Sequence, residues 1–220
     1  MVESMKDLER TIDCSGISVC YSDRTNGAGL ETRFDFVQSI QRLFPDRVFK
    51  RGFEWCSGPS FFGYSLLGLG ICETLTLVDV FQPALDQAEK TATQNSLKEK
   101  VKTINSNNWE NVLESDKFDL IVGNPPHFCL QNYYNEIWTY DQRIYIDPEW
   151  QIHRSFFAGA KQHLADDGEI VLMECAWGSG LNTFRNMIEE AGLKIANHFI
   201  GEYKHDKLGF PVYYLHVRHK

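Results

Sequence analysis

From Val48 onward the chain alternates short β-branched and apolar runs with segments of helical spacing, and that alternation leaves few architectures open. Seven stretches read as strands: VFKRGFEWC, TLTLVDV, VKTINSN, FDLIVGN, EIVLMEC, LKIANHFI and VYYLHVR. Between them PSFFGYSLLGLG, PALDQAEKTATQNSL, HRSFFAGAKQHL and LNTFRNMIEEAG read as helices. Pro83 falls in a first turn, where proline is tolerated, and Gly192 ends the last helix. Asp166-Asp167-Gly168 reads as the turn into EIVLMEC. The pattern predicts an α/β fold with a mostly parallel sheet, helices on both faces and a C-terminal antiparallel hairpin.

Upstream, LETRFDFVQSIQRLF puts Phe34, Val37, Ile40 and Phe44 at helical spacing, and Pro45 stops it. GISVCYSD is a candidate strand, followed by a turn at Thr25–Gly29. Residues 1–45 are therefore expected to form an N-terminal extension, and 46–220 the main domain. Within 220 residues no apolar run approaches the roughly 20 needed to span a membrane, and the N-terminus lacks the apolar stretch of a signal peptide. A cytoplasmic protein is expected. The six cysteines are scattered without a CxxC pair, so neither a metal site nor a disulfide framework is expected. A net charge of −8 disfavours a long nucleic-acid backbone as partner. The most basic stretch, YKHDKLGFPVYYLHVRHK, reads as a solvated terminal hairpin.

In parallel sheets of this kind, ligands bind outside the carboxyl ends of the strands. The first strand runs into Glu54-Trp55-Cys56-Ser57-Gly58-Pro59-Ser60-Phe61-Phe62-Gly63, and the second ends in Asp79-Val80. A tight strand-to-helix turn brings backbone NH groups close to a ligand, and an acid ending the next strand suits ribose hydroxyls. Together they point to a nucleoside-containing cofactor. The third strand ends in Asn105-Ser106-Asn107-Asn108-Trp109, which suits an adenine; on that stretch alone an ordinary Asn-rich turn is the simpler reading.

The fourth strand ends in Asn124-Pro125-Pro126-His127. A rigid turn needs only one proline. Asn124 carries an acceptor oxygen and a donor NH2 on a short side chain, and the Pro125 carbonyl is followed by a residue without an NH. A planar amino group can give one hydrogen to each, with its lone pair aimed into the cofactor cleft. That arrangement orients a nitrogen as nucleophile.

With these residues in place, the sequence resembles the class I S-adenosylmethionine-dependent methyltransferases, over roughly Val48 to Leu215. Within them it is similar to the amino-methyltransferases with an Asn-Pro-Pro-aromatic motif, which include release-factor glutamine methyltransferases and enzymes acting on adenine or guanine amino groups. The resemblance implies a Rossmann-like fold and S-adenosylmethionine as cofactor. Glu54, Cys56, Ser57, Gly58 and Phe62 would border its methionine part, Asp79 and Val80 the ribose, and Asn107, Asn108 and Trp109 the adenine. Asn124, Pro125, Pro126 and His127 would form the catalytic motif, with Asn124 also touching the cofactor. The segment LETRFDF resembles the loop and helix preceding the first strand in glutamine methyltransferases.

Two departures stand out. The family's first turn runs acid-x-Gly-x-Gly-x-Gly, whereas here only Gly58 is kept, with Cys56 and Ser60 at the outer positions and Pro59 removing an NH. His127 stands where Tyr, Phe or Trp is usual, which makes a nucleobase a poorer fit.

From Phe128 to Trp150 lie Tyr133, Tyr134, Trp138, Tyr140 and Tyr145 among Glu136, Asp141, Asp147 and Glu149, with Arg143 the lone base. Aromatics with acids suit an amine-bearing substrate, or else pack on the domain itself. Phe128, Tyr133, Tyr134, Trp138 and Asp147 are expected, with His127, to bind substrate. His153, opening the next helix, could reach the site, though a helix-surface histidine is the simpler reading. The expected activity is N-methylation of an amide or amine in a small molecule or peptide-like substrate. The alternatives are an exocyclic amino group of RNA or DNA, or a non-catalytic partner keeping the fold; a nicotinamide oxidoreductase lacks its three-glycine fingerprint here.

Overall fold

The computed structural model of the protein describes residues 8–129, 144–204 and 211–220. In chain order the elements are β1 (Arg10–Cys14), β2 (Ile17–Tyr21), α1 (Gly29–Leu43), β3 (Phe49–Trp55), α2 (Phe61–Gly68), β4 (Cys72–Asp79), α3 (Gln82–Gln94), β5 (Val101–Asn105) and β6 (Phe118–Gly123). A 3-10 turn at Pro148–Trp150 then leads into α4 (Gln151–His163), β7 (Leu164–Cys175), α5 (Leu181–Glu190), β8 (Leu193–Lys204) and β9 (Pro211–His219).

Seven strands form one sheet in the order β5-β4-β3-β6-β7-β9-β8. The β3/β4, β3/β6, β4/β5 and β6/β7 pairs are parallel, while β9 lies antiparallel between β7 and β8. The chain reverses its direction of travel between β3 and β6, which opens a crevice at their carboxyl ends. Leu120, Ile121 and Val122 of β6 are fully buried, as the central strand of a sheet covered on both faces requires.

Each face has its own core. On one, Phe36 and Ile40 of α1, Phe62 and Leu66 of α2 and Ala88 of α3 pack on Leu75, Leu77, Leu120 and Val122. On the other, Phe156 and Phe157 of α4 and Phe184 and Ile188 of α5 pack on Phe53, Trp55, Ile121 and Ile170. The expected helices on both faces and the C-terminal antiparallel pair are both present.

Two readings are corrected, the Phe34 face of α1 and the turn at Asp166–Gly168. The expected strand within GISVCYSD is β2, and β1 pairs with it in a hairpin through Ser15-Gly16, both at positive φ as a two-residue hairpin turn demands. Its Cys14, Ile17 and Val19 join the core beneath α2, so the extension shares its interior with the main sheet. The buried face of α1 is Thr32, Arg33, Phe36, Val37 and Ile40. Phe34 is exposed instead, with the Arg33 guanidinium 4.1 Å from its ring centre. Asp166-Asp167-Gly168 is no turn: β7 runs through it as a bulge against β6, held where Arg47 donates 2.6 Å to the Asp167 carbonyl.

Candidate active site

A cavity of about 420 Å³ lies at the carboxyl ends of β3, β4, β5 and β6. It falls within the roughly 300–1,000 Å³ typical of small-molecule sites. Its floor is the turn from Glu54 to Pro59 with Phe61 and Phe62; one wall is Val78 to Phe81, another Ser106 to Asn108, and Asn124 with Pro126 closes the β6 side.

The turn after β3 explains how a single glycine suffices. Cys56, Gly58 and Ser60 have φ of 52°, 51° and 70°, so all three positions of the expected glycine pattern are left-handed. Cys and Ser accept that conformation at a cost of about 1–2 kcal/mol each. Gly58 is held by more than φ, because a Cβ there would meet the Thr25 carbonyl at 3.2 Å. Ser57 N donates to Val78 O, tying the turn to β4.

Two acids frame this turn. Glu54 is buried and accepts from the Ser60 hydroxyl and, at 2.9 Å, from the Gly63 amide. Burial raises its carboxyl to about 8, against those donors. Asp79 accepts from the Gly58 amide at 2.8 Å and the Phe81 amide at 2.9 Å. It therefore fixes the turn and still has lone pairs for a ligand hydroxyl. Its pKa is also raised by burial, with the Phe81, Gly58 and Val80 amides opposing.

The Asn-rich turn divides into different roles. Asn107 is exposed on the rim and donates to Glu110. Asn108 lines the cavity but is clamped, accepting from Trp55 Nε1 at 2.6 Å and donating to the Ile152 carbonyl. Trp109 turns away from the cavity; it stacks on Phe53, Phe156 and His163 and donates to the Phe156 carbonyl. The indole serves the core there.

In the Asn-Pro-Pro-His motif, Asn124 Nδ2 donates to the Gly27 carbonyl at 3.1 Å. Among the described residues Asn124 Oδ1 is buried without a hydrogen-bond partner. An unpaired buried acceptor is costly, and one lining a cavity is a site waiting for a donor. Pro126 lines the cavity; Pro125 is buried behind it and His127 sits at the edge, outside the lining.

Two parts of the site were not legible beforehand. Thr25, Asn26 and Gly27 roof the cavity from the N-terminal side, and Ile144, Ile146 and Ile152 roof it from the other. The Asn26-Gly27 turn signal was visible, but nothing local says which cleft it covers. Phe128, expected to bind substrate, is half-buried and bridges to Ile146. Tyr133, Tyr134 and Trp138 lie outside the described residues.

Asp147 and His153 differ from expectation. Asp147 is fully buried and accepts from the Ile152 amide at 2.9 Å and the His153 amide at 3.0 Å, capping α4. It also lies 2.6 Å from His153 Nδ1, so its oxygens are committed inside the protein. These bonds offset the strain of Glu149 and Trp150, both left-handed just ahead of the helix. His153 is no surface residue: it is fully buried, with Nε2 3.0 Å from Glu174 Oε1. Glu174, at the end of β7, is fully buried too, and its Oε2 lies 3.5 Å from His127 Nδ1. Burial opposes the charge on His153, yet Glu174 and Asp147 outweigh it and raise its pKa to about 9. Burial works against the Glu174 carboxylate as well, and His153 and His127 more than compensate, leaving its pKa lowered. Glu174 stands one residue before the end of β7, which runs parallel to β6, much as Asp79 ends β4; an acid at a strand end is the signal that could have found it.

The fold has many solved counterparts. A ribosomal protein L11 methylase from Lactobacillus delbrueckii subsp. bulgaricus superposes with a TM-score of 0.61 at 15% identity, over 86% of this chain and 79% of that one. TrmN from Thermus thermophilus gives 0.59 at 14%, over 91% and 54%. The T. thermophilus 16S rRNA N2 G1207 methyltransferase RsmC, solved with AdoMet and guanosine, gives 0.60 at 16%, over 94% and 50%. At these identities the likeness is one of fold, the class I methyltransferase fold. In sequence, a release factor glutamine methyltransferase from Francisella tularensis is 47% identical over 53 residues. That match spans 24% of this chain and 18% of the relative's length. Residues 68–205, more than half of the sequence, match the Eco57I restriction-modification methylase family, and the chain belongs to that family.

Proposed function

We propose that the protein transfers a methyl group from S-adenosylmethionine to a nitrogen of an amide or amine in a small-molecule or peptide-like acceptor. The observation that carries this reading is Asn124: it lines the cavity at the end of β6, and its Oδ1 is buried without a partner among the described residues, an acceptor matched to an N–H. The cavity suits the cofactor, with Glu54 at one end, Asp79 beside the turn amides, and Asn107 with Asn108 at the other. Bound there, the cofactor would supply an electrophilic methyl group to the nitrogen lone pair, its sulfur keeping the electron pair of the broken bond. Asn124 Oδ1 would hold one hydrogen of that nitrogen and the Pro125 carbonyl another, fixing the direction of its lone pair. The Gly27 carbonyl, by taking Nδ2, keeps Oδ1 turned toward the acceptor.

The kinship with a glutamine methyltransferase favours an amide nitrogen. The fold relative RsmC is named for N2 of a 16S rRNA guanine, so an exocyclic amino group is the second reading; the charge of −8 weighs against it. Incubation with methyl-labelled S-adenosylmethionine and three acceptor pools separates them: glutamine-bearing peptides, small amines, and tRNA or rRNA fragments. Label is expected on peptide amide or amine nitrogen. Label on RNA alone, with salt-sensitive binding, moves the assignment to the second reading. Asn124→Ala is expected to lower turnover by at least about 10²-fold while cofactor affinity is kept. An equal loss of both would take Asn124 out of the acceptor-holding role.

A further inference from the structure

Behind the Asn-Pro-Pro-His turn runs a buried line of alternating charge: Asp147, His153, Glu174 and His127. His153 Nδ1 is 2.6 Å from Asp147 and its Nε2 3.0 Å from Glu174, with all three side chains fully buried. A neutral imidazole has one donor nitrogen and one acceptor, and neither carboxylate can serve an acceptor. With both carboxyls ionised, His153 donates with both nitrogens and is an imidazolium, in line with its raised pKa. Its one positive charge balances one of the two carboxylates, which leaves the array with a net negative charge. Asp147 is saturated by three donors from the start of α4. The unspent acceptor is Glu174 Oε2, and it faces His127 Nδ1 at 3.5 Å. Among the described residues the other titratable groups near Glu174, Tyr213, Cys175 and Cys56, have pKa values raised by burial and stay neutral. The His127 backbone is fixed as well, since a Cβ on Gly178 would collide with its carbonyl oxygen at 1.9 Å. Only at His127 does this line reach solvent, with its side chain 15% exposed.

We propose that the Asp147–His153–Glu174 array is a positioning device that holds His127 as the Nδ1–H tautomer, so that its bare Nε2 takes the proton shed by the acceptor nitrogen. This rests on the methyl-transfer reading above. An acceptor nitrogen that gains a bond to carbon becomes positively charged. The hydrogen held by the Pro125 carbonyl is then given up: its N–H bond breaks, the electrons stay on nitrogen, and the proton bonds to His127 Nε2. The resulting imidazolium is paired with Glu174. An amide, whose methylated nitrogen is strongly acidic, gains most from such a group. The histidine in place of the usual aromatic ring thereby acquires a function a phenyl ring cannot perform.

The test reads the tautomer directly and needs no acceptor. The full chain is labelled with ¹⁵N-histidine, and long-range proton–nitrogen correlation spectra are recorded at pH about 8, above the ordinary imidazole range. Signals are assigned with His127→Gln and His153→Gln. In the wild type His153 is expected with both nitrogens protonated, and His127 with Nδ1 protonated and Nε2 bare. Glu174→Gln should flip His127. The new amide has one acceptor oxygen, which His153 takes, and its NH2 then faces His127 Nδ1, driving the proton onto Nε2. A wild-type His127 carrying its proton on Nε2 overturns the proposal, even if the variant fails to fold. An unchanged tautomer in a folded Glu174→Gln also overturns it. Failure of S-adenosylmethionine to bind in calorimetry strikes the methyl-transfer reading instead, and leaves the tautomer result standing.

Discussion

At the scale of single residues, the site is defined by polar groups whose partners are fixed or conspicuously missing. Glu54 is the clearest titrating case. Burial raises its carboxyl to about 8, so in the free protein it is largely protonated near neutrality. A cationic ammonium beside it would favour the ionised form. Cofactor binding should therefore release a proton, and affinity should rise as pH climbs toward 8. Calorimetry in two buffers of different protonation enthalpy counts that proton, and Glu54→Gln should abolish both the release and the pH dependence. A pH-independent affinity would separate Glu54 from the ammonium. His153 gives a stability prediction. Its folded pKa, raised to about 9 from 6.5, means its contribution is full below pH 6.5 and is lost as pH rises through 9. Glu174, lowered from 4.5, contributes above that value and loses its contribution as pH falls through its folded pKa. Urea midpoints across this range should decline on the alkaline side in the wild type. His153→Gln should cost about 3–5 kcal/mol near neutrality, because it strands two buried carboxylates. A cost under about 1 kcal/mol would mean the array is not charged as described.

Among elements, the turn joining β3 to α2 shows best what sequence can and cannot say. Glu54, Gly58 and Asp79 were legible because a strand-end acid and a turn glycine follow from general α/β rules. The left-handed φ at Cys56 and Ser60 was hidden, since neither residue advertises it. A β-branched residue tolerates that region least, so Cys56→Val should destabilise by about 2 kcal/mol, while Cys56→Gly should stay within about 1 kcal/mol of the wild type. Thermal or urea unfolding of the two variants checks this, and equal costs would place the burden on lost packing. The hairpin β1–β2 was missed for a different reason: its Ser15-Gly16 turn is short and its first strand is polar. Trp109 and His153 were misplaced because an aromatic or a histidine near a strand end looks alike from sequence whether it faces a cleft or a core. Only the register of α4 against the sheet decides that, and register is a long-range property.

Across the whole molecule, the mostly parallel seven-stranded sheet with its C-terminal antiparallel pair follows from alternating periodicity, so the fold class was the most legible level. The roof of the cavity was the least. It joins residues near 25 to residues near 145, contacts too distant in sequence for any pattern to announce. Gly27 illustrates the consequence: with Thr25 and Asn26 it lines the cavity, and its carbonyl orients Asn124, so removing residues 1–28 should impair cofactor binding through the lost lining and transfer through Asn124, rather than only stability. A truncated chain that folds and binds normally would show the extension to be dispensable. The central claim is that this cavity holds S-adenosylmethionine with Asn124 left free for an acceptor. Isothermal titration of the full chain with S-adenosylmethionine tests it most directly. One cofactor per chain is predicted, with the same affinity in Asn124→Ala; an absence of binding at millimolar cofactor would contradict the account.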